Sequence, residues 1–118
     1  MNKDYNVDPG FYCAGLYVNG MVINAALEKT GGKSDDKDAL IKAMRSVELK
    51  NTPRGDIKFD HFGNVIGDFF VRRIEKANGK LINKTVKTYH DVSQFWTYDE
   101  KKFLSQPVYS RDYPPLKS

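Results

Sequence analysis

From Phe11 to Lys29 the apolar positions recur at helical spacing: Leu16, Gly20, Ile23 and Leu27 share one stripe, with Tyr17 and Met21 beside it. Asp8-Pro9-Gly10 precedes the run, offering a side-chain cap and a proline suited to the first turn. Gly31-Gly32 closes it, because glycine takes the left-handed cap conformation without strain. Few charges interrupt the run, which predicts a helix buried on more than one side. A second helix follows, capped by Ser34 or Asp35, with Asp36 and Asp38 at its positive N-terminal end. Leu40, Ala43, Met44 and Val47 stand at i, i+3, i+4 and i+7 and give it one apolar face. Leu49 then opens an extended segment.

At Asn51 the period changes. Thr52-Pro53-Arg54-Gly55 is turn chemistry, since proline presets φ and glycine allows a positive φ. Asp56 to Asp60 alternates as a strand does, and His61-Phe62-Gly63-Asn64 makes another turn. Asp68 to Lys76 predicts a strand, Asn78-Gly79 a tight hairpin, and Lys80 to Thr88 the returning strand. Residues 90–118 carry no clear period, apart from a helical turn or two between Asp99 and Leu104. Phe95, Trp96, Tyr98, Phe103, Tyr109 and Tyr113 crowd this tail, which predicts a strap laid across an apolar surface. The expected organisation is a single domain: a helix pair over 1–50, β-hairpins over 51–89 and the tail over 90–118.

The 118 residues suffice for one domain, and 40% hydrophobic with 29% charged residues describes a chain that folds. The formal charge is +4, and the cations are spread along the chain, densest at Arg72-Arg73 and Lys101-Lys102. That distribution reads as a solvated basic surface, and no nucleic-acid partner is expected; the hairpin RRIEKANGKLINKTVK is interrupted by Glu75 and lacks an RNA-binding signature. Cys13 stands alone, which excludes an intrachain disulfide. The apolar stretch from Phe11 to Leu27 is broken by Gly15, Asn19, Gly20 and Asn24 and does not read as a membrane span. No early segment has the charged start and apolar run of a signal peptide, so the chain as written is expected to be soluble and without an export address.

The motifs that could carry chemistry give little. Arg54-Gly55-Asp56 spells an adhesion tripeptide, but its setting between two extended segments makes it a turn. His61, His90 and Cys13 have no metal-ligand pairing in the sequence, and Asp56-x-x-x-Asp60 lacks the alternating ligands of a calcium loop. His90 and Ser93 do not specify a triad, and Gly15-x-x-x-x-Gly20 is not followed by Lys-Ser/Thr. The chain is expected to be no enzyme, with no cofactor.

Four stretches together resemble a known family. GLYVNGMVINAALEKTGG and DKDALIKAMRSVEL are similar to its late helix pair, NTPRGDIKFDHFGN to a loop and hairpin, and DVSQFWTYDEKKFLSQPVYSRDYPP to its tail. The family is that of the type I periplasmic solute-binding proteins of ABC transporters, the branched-chain amino acid receptors, and within it the aromatic-acid-binding branch. The resemblance covers about Asp8 to the end and implies the C-terminal segment of a two-lobed α/β protein, α+β when taken as an isolated segment. It implies non-catalytic capture of a small carboxylate, an aromatic acid or a branched-chain amino acid, in the periplasm, with transporter membrane subunits as partners. Carried over to this chain, the late ligand contacts would fall on Phe11, Tyr12 and Tyr17. Family members are several times longer and close two lobes on the ligand, so apolar surface on this segment would lack its cover. A homo-oligomer, domain-swapped or otherwise intertwined, is the expected remedy. The alternative reading is a self-associating structural remnant with no ligand of its own.

Overall fold

In the computed structural model, which describes residues 2–6 and 9–107, a short helix α1 (Asn2–Tyr5) precedes the long helix α2 (Phe11–Lys29). Gly10 caps α2 with extended backbone and no side-chain bond; the expected cap, Asp8, lies outside the described residues. Gly31 and Gly32 end the helix with φ of 64° and 80°, and the Gly32 N–H donates to the Leu27 carbonyl at 2.8 Å. The buried stripe of α2 is not the expected one. Val18, Val22 and Ala26 face inward, whereas Leu16, Gly20 and Ile23 are exposed and Leu27 is half-buried. Short side chains let the helix axis approach the sheet closely, which the larger residues would prevent. The expectation of burial on several sides is corrected accordingly: among the described residues one side of α2 is covered.

Helix α3 (Lys37–Arg45) is capped by Asp36, one residue after Asp35 and two after Ser34, and the Asp36 Oδ1 accepts from the Ala39 N–H at 2.9 Å. Its Leu40, Ala43 and Met44 pack on the core and hand over to Val47, which is 1% exposed. Lys29 Nζ donates to the Ser46 carbonyl at 2.7 Å and to Ser46 Oγ at 2.9 Å, fastening the end of α2 to the end of α3.

Four strands follow as an antiparallel meander: β1 (Leu49–Thr52), β2 (Gly55–Phe59), β3 (Val65–Ala77) and β4 (Lys80–Val92). The pairs Leu49↔Ile57, Ile57↔Gly67 and Phe59↔Val65 set these residues on one face of the sheet. That face meets Val18, Val22, Ala26 and Val47 to form the core, so the molecule is a helix pair on one side of an antiparallel sheet. The last two strands run further than their sequence alternation implies, to Val65 at one end and Val92 at the other. The hairpin explains the extension. Asn78 and Gly79, at φ 48° and 76°, make the tight turn, and the ladder then propagates from Ala77↔Lys80 back to Gly67↔Val92. Beyond Gly67, β3 pairs with β4 alone, and this two-stranded arm carries exposed Ile74 and Leu81.

Asp60 joins the sheet to the tail. Its Oδ1 accepts from the Phe62 N–H at 3.0 Å and the Asn64 N–H at 2.8 Å, and its Oδ2 accepts from Gln94 Nε2 at 2.7 Å. Just beyond Gln94, Phe95 is buried against the rings of Phe62 and Phe103, with centroids 6.0 and 5.7 Å away. Helix α4 (Glu100–Leu104), capped by Asp99, is held to the same turn by His61 Nε2 and Glu100 Oε1 at 3.1 Å. The strap expectation is met at Phe95, while Trp96, Tyr98 and Phe103 remain largely exposed. Tyr109 and Tyr113 lie outside the described residues. Among the described residues no helix is long and apolar enough to cross a membrane.

Three aspartates, Asp56 of β2, Asp60 in the turn after it and Asp91 of β4, are held below the ordinary aspartate range. The Asn51 N–H and then Lys50 act on Asp56. Lys58 acts on Asp91. At Asp60 burial opposes ionisation, but the bonds from Asn64, Gln94 and Phe62 outweigh it. A folded-state value below the unfolded one, about 3.9, means stabilisation that is complete above the unfolded value. It is lost as pH falls through the folded one. The melting temperature should therefore hold level from pH 7 to about 5 and fall below about pH 4. Circular-dichroism melts across that range, with Asp60→Asn flattening part of the fall, check this.

Candidate functional site

Between α2 and the sheet lies a cleft of about 110 Å³. Gly15, Val18, Asn19 and Val22 form its helical wall, Ile57, Phe59, Val65 and Gly67 its floor, and Arg54 and Asp68 its rim. Helical spacing supplies the wall, because Phe11, Gly15, Val18 and Val22 recur on one face. Gly15 keeps the wall open: a Cβ there would meet no atom within 4 Å.

The rim is set by the Thr52–Gly55 turn. Thr52 Oγ1 donates to the Gly55 carbonyl at 2.6 Å and accepts from the Arg54 N–H at 3.1 Å, and Gly55 sits at φ 87°. This holds the Arg54 backbone where the guanidinium carbon lies 4.8 Å from the centre of the Phe11 ring. Asp68, 11% exposed at its side chain, is engaged on both oxygens: Oδ1 with His90 Nδ1 at 2.9 Å and Oδ2 with the Asp56 N–H at 3.4 Å. Among the described residues no carboxylate pairs with the Arg54 guanidinium.

Of the three residues carried over from the family, two come together. Phe11 and Tyr12, both exposed, meet edge to face with centroids 5.7 Å apart, and Phe11 reaches the cleft rim through Arg54. Tyr17 is placed elsewhere, in an open groove with Leu16, Met21 and Leu49. Sequence reading missed Arg54, which the turn grammar of the PRGD stretch accounted for without a further role. It also missed Asp60 as a hub, since Gln94 lies 34 residues away. Cys13 is exposed, and among the described residues no three His, Cys, Asp or Glu converge to hold a metal.

A helix pair on one face of an antiparallel meander, with a cleft between the layers, makes this chain an α/β segment. It is similar to a solute-binding protein of an ABC transporter from Rhodopseudomonas palustris BisB5, solved with 3,4-dihydroxybenzoic acid. The identity is 33% and the TM-score 0.72, over 78% of this chain and 25% of that one. An ABC transporter substrate-binding protein from Sphaerobacter thermophilus matches at 28% identity and TM-score 0.67, over 70% of this chain and 23% of that one. A solute-binding protein from Rhodopseudomonas palustris HaA2, solved with p-hydroxybenzoic acid, matches at 30% and 0.57, over 67% and 21%. No family model and no curated protein matches the chain. The chain thus corresponds to a segment of the solute-binding proteins of ABC transporters, and it spans 25% or less of the length of these three relatives.

Proposed function

We propose that this chain serves non-catalytic capture of a small aromatic carboxylate for an ABC uptake transporter, on the periplasmic side. Of the aromatic contacts that the family resemblance implies, Phe11 and Tyr12 stand together at the start of α2 and are the ones proposed to meet the ligand, Tyr17 lying in a separate groove. The transporter's membrane subunits are the chain's partners. The observation that carries the reading is the 33% identity over 78% of the chain to a protein solved with 3,4-dihydroxybenzoic acid. The exposed rings at the start of α2 support it, because an aromatic wall with a few polar groups suits such a ligand. The outer side of α2, with Leu16 at 72% and Tyr17 at 65% exposure, supports association of copies through that face. The organisation expected from the sequence, helix pair, hairpins and tail in one domain, is retained in this reading.

A thermal-shift series on the 118-residue chain with benzoate, hydroxybenzoates, hydroxycinnamates and branched-chain amino acids tests the proposal. A ligand at a hundredfold excess over its Kd stabilises by about 2.7 kcal/mol, a rise of roughly 10 °C for a chain of this size. A saturable rise with the aromatic acids is expected, and sedimentation of the same sample should return a mass above 13.5 kDa. A cooperative melt that ignores every acid would overturn the binding reading in favour of a self-associating remnant.

A further inference from the structure

We infer that the cleft between α2 and the sheet is where an aromatic acid is held, with Arg54 taking the carboxylate and Phe11 lying along the ring at the mouth. This rests on the capture of an aromatic carboxylate proposed above and says which atoms of this segment perform it. Size is the first support. The cleft measures about 110 Å³, and apolar cavities of roughly 150 Å³ take up benzene. At that size the cleft takes in part of a single ring, and the remainder of the ligand lies at the mouth beside Phe11 and Arg54.

Its walls are the second support. Val18, Val22, Ile57 and Phe59 offer apolar surface to a ring, and Gly15 leaves the entrance without a side chain. The third is charge. A guanidinium matches a carboxylate with two parallel bonds, and the one at this rim has an aromatic face beside it and no acidic partner among the described residues. Asp68, the acid on the same rim, is already engaged by His90 and by the Asp56 N–H. The fourth is preorganisation. The Thr52 hydroxyl and the positive φ of Gly55 fix the backbone from which Arg54 projects, so the ordering left to binding is that of the Arg54 side chain.

Calorimetric titration of the full chain with 4-hydroxybenzoate and with 4-hydroxybenzamide tests the assignment, because the amide keeps the ring and loses the charge. The acid should bind saturably and the amide at least about tenfold more weakly. Arg54→Gln should weaken acid binding by about 10- to 100-fold. Gly15→Leu should weaken it at least about tenfold, since Gly15 lines the cleft and the Cβ added there meets no atom within 4 Å, leaving the rest of the side chain to occupy cleft space. Acid binding that persists unchanged in both variants overturns the assignment and leaves the capture reading standing. Absence of binding by the unmodified chain to any aromatic acid overturns both. Should a variant fail to fold, the acid and amide on the unmodified chain decide: equal affinities overturn the role of Arg54.

Discussion

Gly55→Val should cost this chain a large part of its stability. Gly55 sits at φ 87°, where a β-branched residue is strained by about 1–3 kcal/mol. A Cβ at this position would also lie 2.7 Å from Asp68 Oδ2, 2.8 Å from Asp68 Cβ and 3.0 Å from Phe70 Cζ. Asp68 cannot retreat freely, because it is bonded to His90 and to the Asp56 N–H, and displacing it leaves a largely buried carboxylate poorly satisfied. That adds about 1–3 kcal/mol, and a domain has about 5–15 kcal/mol in all. Urea unfolding followed by far-UV circular dichroism should show the midpoint collapse for valine, with alanine intermediate. An unchanged midpoint for both would mean that the turn relaxes and that Asp68 is not pinned.

Val47→Asp should be at least as severe. Val47 is 1% exposed and bridges α3 to β1 in the cluster with Val18, Val22, Ala26 and Ile57. Losing its apolar burial costs roughly 1.5–3 kcal/mol, and an unpaired carboxylate there adds several kcal/mol more. The burial would raise the aspartate's folded-state value above its unfolded one. The penalty is therefore full at neutral pH and eases as pH falls through that raised value. A variant with no cooperative melt at pH 7 and a partial one near pH 5 is the expected result. A native-like melt at pH 7 would place Val47 outside the core.

These two sites mark where the sequence was legible. Val47 closes an i, i+3, i+4, i+7 series, and Gly55 follows a proline in a turn between alternating segments, so both follow from local pattern. Asn78-Gly79 was equally plain, because few other dipeptides accept a positive φ at both positions. The buried stripe of α2 was misread because apolarity alone ranks Leu16 and Ile23 above Val18 and Ala26. Which side is buried depends on how near the sheet comes, and that distance is not local. The cap of α3 shifted from Ser34 or Asp35 to Asp36 because three adjacent residues carry the same capping chemistry. Of the cleft, Phe11 was named from resemblance, but its meeting with Arg54 joins positions 43 apart in the chain and is made by the fold alone.

The length of β4 has a consequence for solubility. It is 13 residues long, it is the last strand of its sheet, and among the described residues no strand pairs with its outer side. Such a rim of unmet N–H and C=O groups is a template on which copies of a chain stack into fibrils. Lys80, Lys84 and Lys87 are spaced along it, all exposed, Lys84 reaching Glu75 Oε2 at 3.4 Å, so two such rims brought together would set Lys80 and Lys87 against like charge. The lysines thus act as gatekeepers: they leave the strand long enough to build the arm and make strand-by-strand polymerisation electrostatically unfavourable.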